Sequence, residues 1–338
     1  MNFQGDAISV HVNQSDMTAG QVIDLMLRLG RANLAEMQDE ARRIVDERLE
    51  DFANKFVSTL GDRNSDAVSA VSDPDVQYAL LTAQRDFARS GEEQLGDTLV
   101  DLLVARCSEQ TGSLRALALN AAIDTVGRLT SAQLDALTSY WTVVRLRSLA
   151  IGSIADLATW LRQHVLPFCG SLPAHDAAYE HLVYAGCATL QISERKFGYV
   201  FRETYPGLFA RGFTLEEMPE RLRGIQGITT PCLNDSAKLQ VRALSTDIAE
   251  ERAEEVGRPD IASDLKELLK AKMYSDSEIE QMIVRTVPEL RYAVERWNST
   301  AIKNLQLTTV GTALAHANWT RVVGAAGSPL SIWIPEES

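Results

Sequence analysis

The chain has 338 residues, of which 45% are hydrophobic and 23% charged, and its formal net charge is −13. This length supports two or three domains with a sizeable core, and the composition is that of an ordinary globular protein. The acidic balance argues against general nucleic-acid binding, because phosphate recognition needs a clustered positive surface.

The chain begins with a short segment in which apolar and polar residues alternate. Ile8, Val10 and Val12 are apolar and the residues between them are polar, which predicts a strand with one buried face. A lone strand leaves backbone donors and acceptors unpaired. We therefore expect residues 1–16 to form a β arm that adds to a strand edge elsewhere, and we predict self-assembly through these three side chains.

The next segment, 17–62, contains no proline and carries a continuous apolar stripe, so it predicts one long amphipathic helix. Such a helix would reach roughly 60 Å at about 1.5 Å per residue. Four large residues of the stripe are the helix-packing candidates for self-assembly: Val45, Leu49, Phe52 and Phe56. Two alternatives stay open, since the stripe can pack on its own domain or form a seam between chains.

Residues 70–190 show a succession of short helical patterns separated by polar turns, which predicts a helical core domain. Asp73 followed by Pro74 is typical of a helix start, because aspartate caps and proline suits the first helical position. Ser90 and Glu93 have the spacing of a capping box, in which each side chain binds the other residue's backbone N–H.

Residues 191–338 predict a second helical region that ends in a short strand. Ser275–Glu278 has the spacing of another capping box, and Pro288 should kink or divide the helix that follows. The pattern over Trp297–Trp319 predicts a last helix.

The final strand is predicted from the alternation over Leu330–Ile334. We expect it, with Ile332 and Trp333, to pair with the N-terminal arm within or between chains. The sequence thus predicts a mainly α fold: a multi-helix array with a long N-terminal helix and a small β element formed by the terminal strands.

Three stretches carry a family resemblance: Asp73–Leu103, Tyr179–Phe213 and Leu307–Ile334. Together with the start at Gln4–Val12, they resemble an uncharacterised bacterial family known by paired locus-tag names, the LPO/Vpar family. Many members start with a Gly-Asp-Asn-Ser-type strand, whereas here Ala7 follows Asp6. The resemblance implies a cytoplasmic, oligomer-forming protein with a role in antiviral defence, and it carries over no catalytic residues.

Four residues have side chains that could bind zinc: Cys169, His175, His181 and Cys187. They are spaced six apart, about 600° along a helix, so neighbours in the series do not share a face. We expect ordinary buried or half-buried side chains, and no cofactor. The absence of CxxC spacing and of a signal-peptide pattern predicts free thiols in the cytoplasm.

Two further groups carry candidate chemistry. The first is an acidic ladder, with Asp97 and Asp101 on one helix face, that could hold a divalent ion or act in acid–base catalysis: Glu92, Glu93, Asp97 and Asp101. A helix start favours acids on its own account. The second is His316, with Asn318 and Trp319, which could bind a ligand or simply hydrogen-bond to neighbouring backbone.

The function predicted from these features is that of an oligomer-forming cytoplasmic scaffold, with further copies of itself and a protein as partners. No GxSxG and no glycine-rich phosphate loop is present, so the sequence leans against an enzyme. One alternative is a hydrolase or nucleotide-processing enzyme with a spatially assembled site, which a deep pocket with perturbed titration would favour. Another is a membrane-targeting effector acting through 305–334. Glycines and a proline in this segment argue against a transmembrane helix there.

Overall fold

A computed structural model describes residues 18–32, 39–324 and 329–336 and confirms the mainly α fold class. In chain order the α-helices of the described residues are α1 (Ala19–Ala32), α2 (Asp39–Asn64), α3 (Pro74–Ser90), α4 (Glu93–Cys107), α5 (Leu114–Val126), α6 (Ser131–Val144), α7 (Ile154–His164), α8 (Asp176–Tyr184), α9 (Phe197–Thr204), α10 (Thr246–Glu255), α11 (Ala262–Ala271), α12 (Asp276–Thr286), α13 (Arg291–Ser299) and α14 (Thr309–Val323). The strands are β1 (Ala188–Leu190), β2 (Thr229–Pro231), β3 (Leu239–Val241) and β4 (Leu305–Leu307).

The chain divides into two compact units. The first contains the described residues up to Ser131 and those from Thr309 onward, so that α14 joins α1–α5. The second, Ala132–Thr308, contains the remaining helices and two separate antiparallel sheets, β1 with β4 and β2 with β3. The segment boundaries predicted near 62, 70 and 190 stay predictions beside this division.

The single long helix predicted over 17–62 is wrong, because the described residues of this segment form α1 and α2, which pack against each other. Arg31 of α1 pairs with Glu50 of α2, with Nη2 and Oε1 2.9 Å apart. A Cβ added to Gly30 would lie 2.8 Å from Leu49 Cδ1, so the two helices are in close contact. Two packed helices cover each other's apolar faces, which a single extended helix cannot do.

The stripe of α2 is buried inside the first unit. Val45, Leu49, Phe52 and Phe56 are all 6% exposed or less. The rings of Phe52 and Phe87 lie 5.5 Å apart, so the stripe packs on α3. Packing on its own domain, the first of the two alternatives, therefore describes these four side chains.

Helix starts follow local hydrogen bonding. The Asp73–Pro74 start of α3 is confirmed, since Asp73 Oδ1 accepts the N–H of Asp75 at 2.8 Å. The capping box at Ser90 is wrong: Ser90 is the last residue of α3, and Gly91, with φ of 66°, closes that helix. Ser90 Oγ instead accepts the N–H of Glu92 at 3.0 Å.

The last predicted helix, Trp297–Trp319, is interrupted. α13 ends at Ser299, and β4 follows, pairing antiparallel with β1 so that Ala188 lies opposite Leu307. Leu305 and Leu307 are buried while Gln306 between them is exposed, which is a strand pattern set inside an otherwise helical one. The predicted division at Pro288 is confirmed, because a 3₁₀ turn over Pro288–Leu290 separates α12 from α13.

The strand predicted at Leu330–Ile334 is also wrong. Leu330–Ile332 is a 3₁₀ turn whose carbonyl at Leu330 accepts the N–H groups of Trp333 and Ile334. Local turn bonds thus use backbone groups that a β ladder would need. Ile332 is exposed, Trp333 is half-buried and Ile334 is buried. The proposed partner strand with Ile8, Val10 and Val12 lies outside the described residues, so that pairing stays a prediction.

The capping box at Ser275 and Glu278 is confirmed and gains a third member. The Glu278 carboxylate accepts the N–H of Ser275 at 2.9 Å and binds Arg211 Nη2 through both oxygens at 2.6 Å. These hydrogen bonds, the backbone N–H of Ser275 first, lower the pKa of Glu278 to about 2. The box therefore joins the start of α12 to the chain around Arg211.

We expect Glu278→Gln to remove a stabilisation that depends on pH. Because the folded pKa lies below the ordinary 4.5, the stabilisation is fully present above about pH 4.5 and disappears as pH falls toward about 2. Urea unfolding between pH 2 and 7 should show wild type and variant converging at the acid end. Glu267→Gln, an exposed glutamate of α11, is the control, and an equal pH profile for both variants would contradict this account.

Candidate functional site

A cavity of about 410 Å³ lies wholly within the first unit, at the ends of α2 and α4 and beside α5 and α14. Its apolar lining is Val104, Ala105, Leu119, Ala313, Ala317, Trp319, Pro329 and Leu330. Its polar lining is Arg63, Asn64, Asp101, Ser108, His316 and Thr320. The cavity exists because α14 packs on both α4 and α5 while α2 packs on α4.

Asp101 is the buried charge of the cavity. Its side chain is 6% exposed, and its Oδ1 accepts a hydrogen bond from Arg63 Nη1 at 2.5 Å. Burial raises the pKa of Asp101 above its ordinary value; Arg63 and Arg321 oppose this rise, and Asp97 adds to it. The direction shows that desolvation outweighs the two guanidinium groups, as expected for a carboxyl removed from water.

The other acids of the predicted ladder do not reach the cavity. Glu92 and Glu93 are exposed at the start of α4, where acids favour the helix dipole. Asp97 is paired with Lys55 of α2. Of the four acids in the ladder, only Asp101 lines the cavity, and the other three lie on the helix surface.

The predicted His316 cluster supplies two further lining residues. His316 and Trp319 both line the cavity, with ring centroids 6.3 Å apart. Asn318 is fully buried and lies outside the lining, where its Oδ1 accepts a hydrogen bond from Arg321 Nη2 at 2.9 Å. Two predictions made separately, for Asp101 and for His316, thus converge on one site.

Arg63 and the end of the chain are parts of the site that the sequence analysis missed. Arg63 lies in the last turn of α2, where a cation is also favoured by the helix dipole, so its position alone gave no signal. Next to it, Asn64 Nδ2 donates to Ser108 Oγ at 3.0 Å, closing the site between α2 and α4. Pro329 and Leu330 complete the wall as part of the C-terminal turn.

The four candidate zinc ligands are not brought together. Cys169 and Cys187 are buried, His175 is exposed and His181 is half-buried. Burial raises the pKa of each of the two thiols to about 12, so neither is poised as a thiolate. In the described part of the chain, no group of three or more His, Cys, Asp or Glu could hold a metal ion.

Among the helices that the structure describes, none combines the length and the apolar character needed to cross a bilayer. A family model described only as "-like" matches residues 17–334. No curated protein and no solved structure matches the chain. The family match covers the three stretches that carry the resemblance in the sequence.

Proposed function

The chain belongs to this uncharacterised family, and we propose that its first unit binds a small molecule with an apolar body and an anionic group in the cavity around Asp101. The observation that carries the proposal is the ion pair between buried Asp101 and Arg63, whose side chain is 34% exposed, in an otherwise mainly apolar cavity. Ligand sites are typically concave and apolar, with a few converging polar groups, and span about 300–1,000 Å³.

The charged groups around Asp101 favour an anionic ligand. Two guanidinium groups, Arg63 and Arg321, act on the single carboxyl of Asp101. Within the described residues, Arg63 is engaged through Nη1 alone, so the rest of its five-donor fork is available to a ligand. The buried Nε of Arg321 has no hydrogen-bond partner among the described residues, which again indicates unused donor capacity near Asp101. A carboxylate or phosphate is the group that a guanidinium fork fits best.

The rest of the cavity lining favours a ligand whose main part is apolar. Trp319 offers an aromatic face, and the side chains around it are mostly methyl and methylene groups, as at Ala313, Ala317 and Leu119. Removing a ligand's apolar surface from water contributes roughly 25 cal/mol per Å². We therefore expect high affinity only for a ligand that has both an apolar ring or chain and an anionic group.

The test compares three probes of similar size: benzoate, benzyl alcohol and benzylamine. We expect benzoate to bind, the alcohol to bind more weakly and the amine to fail, as measured by calorimetry and ligand-detected NMR. Arg63→Gln should weaken benzoate binding at least roughly tenfold, because hydrogen bonds to charged groups are worth about 1.5–3 kcal/mol. Asp101→Asn should strengthen it, since the competing carboxylate is gone.

The matched control is Arg43→Gln, which removes the same charge from the same helix at a site exposed to solvent and paired with Glu40. It should leave benzoate binding unchanged. Ala317→Leu should narrow the cavity and weaken binding of all three probes. Equal binding of benzylamine and benzoate, or unchanged binding in Ala317→Leu, would reject the proposal.

The residue types of a hydrolytic triad also line this cavity, namely Ser108, His316 and Asp101. Their hydrogen bonds do not support acyl transfer. Ser108 Oγ donates to the Val104 carbonyl and accepts from Asn64, while Asp101 binds Arg63. A triad requires the acid to orient the histidine and the histidine to face the nucleophile. Binding therefore remains the proposed function, and self-assembly through residues 1–16 stays a separate prediction.

A further inference from the structure

One wall of the cavity is not a helix. The segment Pro329–Glu336, which we term the C-terminal strap, contributes Pro329 and Leu330 to the lining. Leu330 is buried, whereas Pro329 and Ile332 are exposed. The other walls belong to α-helices held by their own backbone bonds, so the strap is the part of the enclosure with the least internal support.

The strap is fastened at its far end to the start of α5. The Glu336 carboxylate accepts the N–H groups of Leu114 and Arg115, each at 3.3 Å, in the first helical turn. Arg115 also pairs with Glu336 at 3.5 Å and donates from Nη1 to the Ile334 carbonyl at 3.3 Å. An acid at a helix N-terminus is favoured by the dipole and by the unpaired N–H groups there.

The contacts between Glu336 and the start of α5 are weak enough to break and re-form. The polar contacts of Glu336 are at the long end of the hydrogen-bond range, and its side chain is 36% exposed. Its partner Arg115 is 18% exposed, so solvent reaches both charges and weakens their attraction. The buried side chains of Leu330 and Ile334 are the apolar attachments of the strap, while its far end is attached to α5 through the Glu336 carboxylate and Arg115.

We infer that the C-terminal strap is a gate for the cavity: release of Glu336 from the start of α5 admits the ligand, and its return closes the wall at Pro329 and Leu330. This inference rests on the proposed function for its ligand. The movement of the strap can be measured without any ligand, so the two claims can fail separately.

The experiment places a thiol reporter in the cavity of the full chain by Ala317→Cys and follows its labelling by Ellman's reagent. The four native cysteines are buried and give the background rate in the parent chain. We expect Glu336→Gln to raise the reporter's labelling rate about fivefold while the native cysteines keep their rate, which separates gate opening from global unfolding. Glu93→Gln, which removes an acid from the first turn of α4, should change nothing.

The ligand arm measures benzoate exchange by NMR line shape in the same gate variant. A gate predicts that association and dissociation rates rise together while the dissociation constant stays the same. An unchanged labelling rate in Glu336→Gln overturns the gate even if benzoate binds. Faster labelling with no benzoate binding supports the gate and rejects the proposed ligand. Should Ala317→Cys fail to fold, hydrogen exchange of the Ile334 amide provides the same comparison, with faster exchange in the variant expected.

Discussion

Replacing Arg106 by alanine should destabilise the first unit by about 3 kcal/mol. Breaking a buried ion pair typically costs about 3–5 kcal/mol, and we take the lower end because the Asp75 partner is 41% exposed. Arg106 itself is completely buried. Its removal also leaves a void, which adds to the loss.

The reason for so large an effect is the number of elements that Arg106 joins. From α4 its guanidinium donates to Asp75 Oδ2 of α3 at 2.5 Å and to Asn120 Oδ1 of α5 at 3.0 Å. It also donates to the Glu109 carbonyl and to Thr111 Oγ1 in the loop that follows. A buried guanidinium that makes four hydrogen bonds holds three helices and a loop in register.

Cysteine labelling followed by mass spectrometry can report on the first unit directly, because Cys107 is buried next to Arg106 at the end of α4. Arg106→Ala should raise the labelling rate of Cys107 strongly under native conditions, and urea unfolding should give the free-energy change. Arg128→Ala, an exposed arginine of the same unit, is the control. A variant that unfolds at the wild-type urea concentration would refute the role of this network.

The pH dependence of stability supplies an independent check on the role of the Arg106–Asp75 pair. Hydrogen bonds from Arg106, and then from Asn120, lower the pKa of Asp75 below its ordinary 3.8. A lowered folded pKa means that the stabilisation is present above about pH 3.8 and is lost as pH falls through the folded value. The destabilisation caused by Arg106→Ala should therefore shrink in acid.

Local rules predicted local structure well. The Asp73–Pro74 start and the Ser275–Glu278 box were readable because cap and partner lie within three residues of each other. The presence of two packed helices, α1 and α2, in place of one could not be predicted, since residues 17–62 contain no proline. β4 was missed for a related reason: its three residues become a strand by pairing with β1, more than 100 positions earlier in the chain.

The candidate site was predictable in its parts and not in its assembly. Asp101 and His316 were each identified as chemistry-bearing residues, but 215 positions separate them in the chain. Only the packing of α14 on α4 brings them to one cavity. Arg63 could equally have been a helix-end cation, and no periodicity distinguishes that role from a ligand contact. The sequence thus indicates which residues can act, while tertiary packing decides which of them meet.

Gly198→Ala should destabilise the second unit by about 3 kcal/mol. Gly198 is the second residue of α9, and a Cβ there would lie 2.1 Å from the Asp276 carbonyl oxygen of α12 and 2.8 Å from its carbon. Both atoms are backbone, so no side-chain rotation can relieve the clash. Overpacking of this kind costs about 1–3 kcal/mol and occasionally more, and a backbone obstacle places this case at the upper end.

The close approach of α9 and α12 also permits a hydrogen bond that Gly198→Ala would weaken. The first N–H groups of α9 have no partners within their own helix. Here the N–H of Gly198 donates to Glu280 Oε1 at 3.0 Å, and that of Phe197 to Asn298 Oδ1 at 3.1 Å. Pushing α9 away from α12 by the width of a methyl group would lengthen the first of these bonds, so steric strain and a lost cap act together.

Gly170→Ala is the matched control, because a Cβ at Gly170 meets nothing within 4 Å and its φ lies outside the left-handed region. That change should move stability by no more than about 1 kcal/mol, with a slight gain expected from the stiffer unfolded chain. Labelling of Cys169, Cys187 and Cys232, which are buried in the second unit, should accelerate in Gly198→Ala and stay at the wild-type rate in Gly170→Ala. Equal labelling in the two variants would mean that α9 can shift away from α12 at no cost, and the contact at Asp276 would then not determine the position of the helix.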